Sequence, residues 1–208
     1  MKMKTYQAGP LEANNYLLWD EETKQAVLID CSDFTQELEE DIKTLGLKLE
    51  YILLTHGHFD HVLGVNETAK ALGAKVGGHK DDLPLLENIN EFSAFVDFPQ
   101  TTPPKVDFYV KDGDEIEFGK NRIKVFHTAG HTEGGICYLV NGEKLFSGDT
   151  LFRGSYGRTD LFGGNFDKIY SSINEVLFKL DDKTEVYPGH GESSTIGFEK
   201  KYNEINNR

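Results

Sequence analysis

The sequence predicts an α/β (α+β) fold, a four-layer αββα sandwich in which two sheets pack face to face and helices cover both outer surfaces. Two observations support this fold class. Short apolar runs with strand periodicity occur in both halves of the 208-residue chain, and segments with helical spacing accompany them in each half. A sheet has to bury its apolar face against another layer, and a second sheet with external helices provides such layers.

The first half of the chain opens with a predicted hairpin. Apolar strands flank the polar segment 20–24, and two helical segments further along end at Gly46 and Gly73. The elements expected in this half are strands at 15–19, 25–29, 50–54 and 75–76, and helices at 34–45, 62–72 and 81–86.

The second half is richer in strands. Its expected elements are strands at 105–110, 114–118, 122–127, 136–140, 144–147 and 184–186, and helices at 167–179 and 196–206. Residues 87–104, between the halves, form a long connection with three phenylalanines and three prolines. We interpret this connection either as a lid or binding loop, or as a loop that its aromatic side chains pin to the body of the protein.

Composition predicts one domain spanning residues 1–208, because no Ser- or Pro-rich linker divides the chain. The first residues lack the apolar region of a signal peptide, and no apolar run approaches the ~20 residues of a membrane span. We therefore expect a soluble, cytoplasmic protein that does not enter a membrane. Cys31 and Cys137 are expected to be buried free thiols.

The charge of the chain bears on its partners. Nucleic-acid-binding surfaces need clustered Lys and Arg, whereas this chain has 22 Lys and Arg against 35 Asp and Glu, a net charge of −13. We expect a small-molecule substrate and no nucleic-acid partner. The sequence carries no signal for an oligomeric state.

The segment Thr55–His61, THGHFDH, places three imidazoles and a carboxylate in seven residues, directly after an apolar run. Because the chain has only seven histidines, three in one heptad are improbable in an ordinary polar loop. Imidazole and carboxylate suit a borderline divalent cation, and side chains alternate in direction where a strand ends. The segment therefore predicts a metal site.

Three further candidate ligands, His131, Asp149 and His190, each follow a strand-like segment. Ligands commonly lie on loops at strand ends, where the sheet positions them. Seven side chains are too many for one ion. Five histidines and two aspartates fit two adjacent metals, ~3.5–4 Å apart, that share one carboxylate and a water or hydroxide.

The motifs THGHFDH, GHT, GDT and PGH, in this order, resemble those of the metallo-β-lactamase superfamily from about Gly9 to Ile196. The run from Ser147 to Phe152, followed by GRTD at 157–160, is most similar to the small glyoxalase II-related (hydroxyacylglutathione hydrolase-related) hydrolases. The resemblance implies the αββα fold of that superfamily.

The resemblance also implies ligand roles. The first metal would be held by His56, His58 and His131, the second by Asp60, His61 and His190, with Asp149 bridging the two. Two divalent ions are implied, with zinc expected and iron or manganese as alternatives. Asp30 would orient a ligand imidazole, which typically tunes metal affinity ~10–100-fold; the alternative is an aspartate that caps a turn at the end of a strand.

Resemblance to these hydrolases implies thioester hydrolysis of S-acyl derivatives of low-molecular-weight thiols by a metal-bridging hydroxide, with Asp60 and Asp149 as catalytic residues that hold the ions. No protein nucleophile is needed, so Ser147 and Ser155 are interpreted as structural. Glyoxalase II enzymes continue into a C-terminal domain and have a tyrosine after the last ligand histidine, where this chain has Gly191. We therefore expect weak grip on glutathione.

The sequence leaves open two rivals to thioester hydrolysis and the role of Arg158. Persulfide dioxygenases resemble the chain at the same motifs, and a single non-haem iron would then be bound by His56, His131 and Asp149. A non-enzymatic domain that retains the fold is the other rival. Arg158 could bind a substrate carboxylate, or it could pair with Asp160 to brace its loop.

Two histidines, His79 and His127, fall outside the ligand pattern, and we exclude both as ligands of the metal pair.

Overall fold

Two six-stranded sheets lie face to face in the computed structural model, which describes residues 1–94 and 100–207. The first sheet has its strands in chain order: β1 (Lys2–Ala8), β2 (Ala13–Trp19), β3 (Gln25–Ile29), β4 (Lys48–Leu53), β5 (Lys75–Gly78) and β6 (Phe108–Tyr109). The second sheet has the order β14 (Ser194–Thr195), β13 (Glu185–Pro188), β10 (Lys144–Gly148), β9 (Ile136–Val140), β8 (Asn121–His127) and β7 (Glu115–Phe118). A separate ribbon pairs β11 (Leu151–Phe152) with β12 (Ser155–Tyr156).

Seven α-helices occur among the described residues: α1 (Gln36–Thr44), α2 (Phe59–Val62), α3 (Val65–Leu72), α4 (Leu83–Glu87), α5 (Ile89–Ser93), α6 (Phe166–Ser171) and α7 (Ile196–Tyr202). No helix within residues 1–94 and 100–207 is long and apolar enough to cross a membrane.

The apolar side chains divide into three cores, and the period of the strands decides which core each one joins. On β2, Leu18 points into the core between the sheets, whereas the preceding Leu17 packs toward Leu38 and Ile42 of α1. Successive residues of a strand point to opposite faces, so a strand covered on both sides is apolar throughout. β2 is accordingly buried along nearly its whole length.

The second sheet repeats this arrangement. Tyr138 of β9 joins the core between the sheets, while its neighbour Cys137 packs in the outer core with Ile169 of α6 and Ile196 of α7. Helices therefore cover both outer faces, and the αββα class is confirmed. Both cysteines are free and buried, as expected.

Several elements differ in extent from the prediction. The single helix expected at 62–72 is broken at Gly64, where a side chain would lie 2.5 Å from the backbone carbon of Asp33. The break lets the N–H of Gly64 donate to the carbonyl of Cys31 at 2.9 Å. Tertiary contact of the backbone therefore interrupts a continuous helical pattern.

Strand β1 was not predicted. Its sequence, KMKTYQA, has only one buried residue, Tyr6, because it is the edge strand of the first sheet. Conversely, the strand expected at 105–110 is reduced to two residues. The helix expected at 167–179 begins as α6 and continues as a π-turn over Ser172–Val176 and a 3₁₀ turn over Leu177–Lys179.

The connection at 87–104 is not entirely irregular, since α5 begins within it. Asn90 donates to the carbonyl of Thr101 at 2.9 Å and accepts from its N–H at 2.7 Å, which ties the two ends of the connection together. Residues 95–99, which include two of the three phenylalanines, lie outside the described residues, so the interpretation as a lid or a pinned loop remains a prediction.

Candidate metal centre

All seven predicted ligands follow strands that end at one edge of the sandwich. The THGHFDH segment follows β4, His131 follows β8, Asp149 follows β10, and His190 follows β13. Strands β10 and β13 are parallel, as are β3 and β4, so their carboxyl ends come out on the same side. The topology thus brings residues up to 134 positions apart in sequence into one cluster.

Three of the predicted ligands, His56, His58 and His131, make up what we call the first ligand group, and one nitrogen atom of each lies within 4.8 Å of the others. Nε2 of His131 is 2.9 Å from Nδ1 of His58, and their rings meet edge to face. His56 and His131 are buried, with 4% and 5% of their surface exposed.

The second ligand group is formed by Asp60, His61 and His190. Nε2 of His190 lies 3.2 Å from both Oδ2 of Asp60 and Nε2 of His61. Asp60 and His61 belong to α2, the short helix that starts directly after His58, so this turn carries the chain from the first group to the second.

Asp149 lies between the two groups. Its Oδ1 is 3.4 Å from Nε2 of His61, and its Oδ2 is 3.6 Å from Nε2 of His131 and 3.7 Å from Nε2 of His190. Gly189 leaves room for this carboxylate, because a side chain at that position would lie 2.1 Å from Oδ1. One carboxylate therefore reaches members of both groups.

Asp30 lies behind the cluster and is 1% exposed. Its Oδ2 is 2.9 Å from Nδ1 of His61 and accepts the hydroxyl of Thr55 at 2.7 Å, while Oδ1 accepts the N–H of Thr55 at 2.7 Å. The backbone of Asp30 is left-handed, with φ of 57°, a conformation that costs energy in a residue other than glycine. The carboxylate contacts the imidazole of His61, one of the predicted ligands, and its role in orienting that ring stays a prediction.

These hydrogen bonds decide where the ring protons lie. The Thr55 hydroxyl donates to Asp30, so it accepts from Nδ1 of His56 at 3.0 Å. Nδ1 of His131 donates to the carbonyl of Arg158 at 2.8 Å, and Nδ1 of His61 donates to Asp30. In the neutral rings, Nε2 of each histidine therefore carries a lone pair toward the cluster.

The cluster has buried polar atoms that the protein leaves unpaired. Nε2 of His56 and Oδ1 of Asp149 have no hydrogen-bond partner among the described residues. Buried polar atoms are normally paired, and these two are an imidazole nitrogen with a lone pair and a carboxylate oxygen. Their donor set, imidazole nitrogen and carboxylate oxygen, fits divalent transition metals.

The pKa shifts of His56, His58 and Asp149 favour the same conclusion. Burial, followed by the neighbouring His131, lowers the pKa of His58 to about 3, and burial also lowers the pKa of His56 well below its ordinary value. Burial by itself raises the pKa of Asp149, but the nearby imidazoles outweigh it and hold this pKa well below the usual range. His56 and His58 are therefore neutral imidazoles, the ligating form, and Asp149 beside them is a carboxylate.

Arg158 takes part through two separate contacts. Its backbone carbonyl holds His131, and its guanidinium makes a bidentate pair with Asp160 through Nε at 2.7 Å and Nη2 at 2.8 Å. Both side chains of the pair are more than 60% exposed. The pairing that the sequence suggested as one alternative is present, and a role in substrate binding stays a prediction.

His79 and His127 lie apart from the seven ligands and stack on each other, with ring centroids 4.2 Å apart and planes 18° apart. With exposed Asp81 they form another cluster whose donor atoms lie within 4.8 Å. However, in-plane lone pairs of two stacked rings run parallel and do not converge on one point. Nε2 of His127 donates to the carbonyl of Glu133 at 2.8 Å.

Two polar residues that support ligand loops were not identified from the sequence. Asn14 donates from Nδ2 to the carbonyls of Pro188 and Gly191, on either side of His190, at 3.0 Å each. Asp82 accepts three hydrogen bonds from the loops of the first ligand group. Neither lies in a motif, and Asp82 falls within a segment predicted as an ordinary helix, so the local pattern gave no signal.

Comparison with known proteins places these residues in a family. The model of the metallo-beta-lactamase superfamily matches residues 8–190, which include every predicted ligand. The hydroxyacylglutathione hydrolase GloC of Haemophilus influenzae is 32% identical over 206 residues, covering 98% of this chain and 97% of that protein.

Three solved structures are similar along nearly the whole chain. The BLEG-1 B3 metallo-beta-lactamase has a TM-score of 0.89 and 34% identity, covering 97% of this chain and 98% of that one. The di-iron-bound form of TTHA1623 has a TM-score of 0.85 and 37% identity, covering 96% and 98%. ETHE1 from Myxococcus xanthus has a TM-score of 0.76 and 31% identity, covering 98% and 83%.

Proposed function

The chain belongs to the metallo-beta-lactamase superfamily, and we propose that it is a binuclear metal-dependent hydrolase of small thioesters, S-acyl derivatives of low-molecular-weight thiols. The observation that carries the proposal is the position of Asp149, whose two oxygens reach His61 of one ligand group and His131 of the other. A single ion would leave one of the two groups without a role. Similarity to a hydroxyacylglutathione hydrolase supports the substrate class.

The proposed ligands of the first ion are the three histidines of the first ligand group, and those of the second ion are the second ligand group, with Asp149 shared. Two divalent cations held there, proposed to be zinc, would supply Lewis acidity and would lower the pKa of a shared water. Iron is the principal alternative, since the related TTHA1623 was crystallised in a di-iron-bound form.

The protein's own groups have positioning roles in this scheme. Asp30 and the Arg158 carbonyl keep the Nδ1 protons of His61 and His131 on the outer side, so that Nε2 of each ring faces the reacting centre. Asp60 adds a second negative charge beside His190. These positioning hydrogen bonds are made within the protein itself, as in preorganised sites, which reduce the reorganisation that accompanies reaction.

No serine nucleophile is proposed. Ser147 is fully buried and donates its hydroxyl to the carbonyl of Leu151 at 2.7 Å, while Ser155 donates to Glu204. Neither hydroxyl contacts a histidine, and a serine nucleophile needs a base within hydrogen-bond reach.

The thiol half of the substrate is proposed to be held loosely. Gly191 and Glu192 follow the last ligand histidine; Gly191 has a left-handed φ of 76°, and Glu192 is exposed and pairs with Arg153 at 2.7 Å. This position therefore offers no aromatic hydroxyl to a bound thiol. We propose that shorter thiols than glutathione are accepted as leaving groups.

A second candidate activity is persulfide oxidation at a single iron bound by His56, His131 and Asp149, which the similarity to ETHE1 supports. Hydrolysis of a β-lactam is a further activity to assay, because the similar protein BLEG-1 is a B3 metallo-beta-lactamase. Both belong in the same set of assays as the thioesters.

The discriminating variant is His190→Ala, because His190 belongs only to the second ligand group. Thiol release from S-lactoylglutathione and from shorter thioesters is measured beside β-lactam hydrolysis and oxygen uptake with a persulfide. Hydrolysis by two ions predicts thioester turnover in the wild type and its loss in His190→Ala, with Glu192→Gln as the neighbouring control that keeps it. Oxygen uptake that survives His190→Ala, without thioester turnover, would overturn the proposal in favour of a single iron.

A further inference from the structure

We infer that Asp82 is a positioning residue for the first ligand group: its buried carboxylate joins the two loops that carry His56, His58 and His131 and fixes their separation. The inference rests on the proposed function, because it takes these three histidines to be metal ligands. The hydrogen bonds that Asp82 accepts come from the backbone and one hydroxyl of the ligand loops, so its effect is transmitted through these groups.

Asp82 closes the 3₁₀ turn Lys80–Asp82 and is 3% exposed. Its Oδ2 accepts the N–H of Gly57 at 2.8 Å and the hydroxyl of Thr132 at 2.9 Å. Its Oδ1 accepts the N–H of Gly134 at 2.6 Å. Both carboxylate oxygens therefore accept hydrogen bonds from the ligand loops, one of which contains Gly57 and the other Thr132 and Gly134.

The partners of Asp82 are immediate neighbours of the ligands. Gly57 stands between His56 and His58, and Thr132 follows His131. These residues are 25 and 50 positions from Asp82 in sequence, and they belong to loops that leave different sheets. A single side chain thus spans the interface across which the first ligand group is assembled.

The glycines of this region allow the close approach. A side chain at Gly134 would lie 2.7 Å from Cγ of Asp82, and one at Gly57 would lie 3.0 Å from Cβ of Leu85 and 3.1 Å from the carbonyl oxygen of Asp82. Both loops are therefore packed directly against the turn that carries the carboxylate.

Two buried carboxylates, Asp30 and Asp82, therefore support different sides of the first ligand group. Asp30 bonds directly to His61 and, through Thr55, reaches His56. Asp82 holds the other side of the first group, where His58 and His131 meet at 2.9 Å. A buried carboxylate is stabilised only while its hydrogen bonds are made, so Asp82 favours the loop arrangement in which these imidazoles face one another.

The test is metal affinity measured by chelator competition with zinc in Asp82→Asn. The amide keeps the shape of the side chain but can accept at only one of the two ends, so one backbone N–H loses its partner. We expect the affinity for one metal equivalent to fall by at least about tenfold, within the ~10–100-fold range typical of residues that position ligands. The affinity for the other equivalent should change by less than about threefold.

Asp81→Asn is the matched control. It removes the same charge one residue away, from an exposed side chain whose Oδ2 lies 3.6 Å from Nδ1 of His79. Both equivalents should bind this variant as they bind the wild type. If Asp82→Asn lowers only the melting temperature of the metal-free protein and both affinities stay unchanged, the carboxylate is merely structural and the inference is wrong.

Thr132→Val decides the question if Asp82→Asn does not fold. This nearly isosteric change of a buried side chain removes one of the three hydrogen bonds that Asp82 accepts. It should lower the affinity for the same metal equivalent. Unchanged affinity in folded Thr132→Val would then overturn the inference. Failure of the proposed function has a different signature, because wild-type protein would itself bind fewer than two ions.

Discussion

The imidazole of His131 donates from Nδ1 to the backbone carbonyl of Arg158 across 2.8 Å. This bond directs Nε2 of His131 toward His58 and Asp149, and any residue at position 158 could supply the carbonyl. The guanidinium of Arg158 takes no part in this bond and pairs with Asp160 instead. The contribution of Arg158 to the ligand group therefore comes from its main chain.

Variants of the Arg158–Asp160 pair distinguish a brace from a substrate clamp. Because Nε and Nη2 of Arg158 already engage Asp160, we expect Arg158→Gln and Asp160→Asn each to leave the thioester KM within about threefold and to change the unfolding free energy little, as exposed pairs do. Steady-state kinetics and denaturant unfolding measure the two effects. A clamp would instead give opposite signs, with KM raised in Arg158→Gln and lowered in Asp160→Asn, where the arginine is released.

Asp149→Asn tests the shared ligand. The amide removes the negative charge that lies between the two ligand groups, so we expect fewer than two metal equivalents and a fall in turnover of about 100-fold or more. Metal content and kcat are measured on the same preparation. Asp167→Asn, an exposed aspartate in the first turn of α6, is the control. Two tightly bound ions together with unchanged kcat in Asp149→Asn would contradict the bridging role.

His79→Ala and His127→Ala should both retain two metal equivalents and thioester turnover. The two rings stack on each other, and His127 donates to the Glu133 carbonyl, so neither side chain belongs to the two ligand groups. Losing the stack should lower the unfolding free energy by about 0.5–3 kcal/mol, as most single substitutions do. Elemental analysis of each variant is the measurement, and loss of one equivalent in either would show that the ligand set is wrong.

Asp20 gives a pH dependence of stability. It joins the β2–β3 hairpin to the β7–β8 turn, and the N–H groups of Thr23 and then Lys120 lower its pKa to about 2. Since the unfolded-state pKa is about 3.9, the ionised carboxylate stabilises the fold above that pH, and this contribution is lost as the pH falls toward 2.

Unfolding of metal-free wild type and Asp20→Asn should therefore differ most near neutral pH. The gap in unfolding free energy is expected to narrow as the pH is lowered from about 5 to about 3, where the unfolded-state carboxyl takes up its proton and the native one does not. Denaturant titrations at several pH values measure it. A gap that is constant over this interval would mean that the Asp20 carboxylate is not preferentially ionised in the native state.

The residues of this His and Asp cluster could be picked out from the sequence because their signals are local. His56, His58 and His61 are concentrated in one heptad, and His131, Asp149 and His190 each lie beside a glycine after an apolar strand. The αββα class was predictable for a similar reason, since the periodicity of strands and helices depends on burial within each element.

What could not be predicted depends on contacts between distant segments. The break at Gly64 is caused by the backbone at Asp33, and the role of Asp82 depends on loops 25 and 50 residues away. The edge strand β1 has almost no apolar pattern because only one of its residues is buried. Local spacing carries no information about such approaches.

The most direct test is a titration of metal-free protein with zinc, in which thioester turnover is followed against the number of ions bound. We propose that both ligand groups are occupied during hydrolysis and that Asp149 joins them. We expect turnover to rise until two equivalents are bound and to reach its plateau there. Full turnover at one equivalent, with the second ion binding without effect, would contradict the claim.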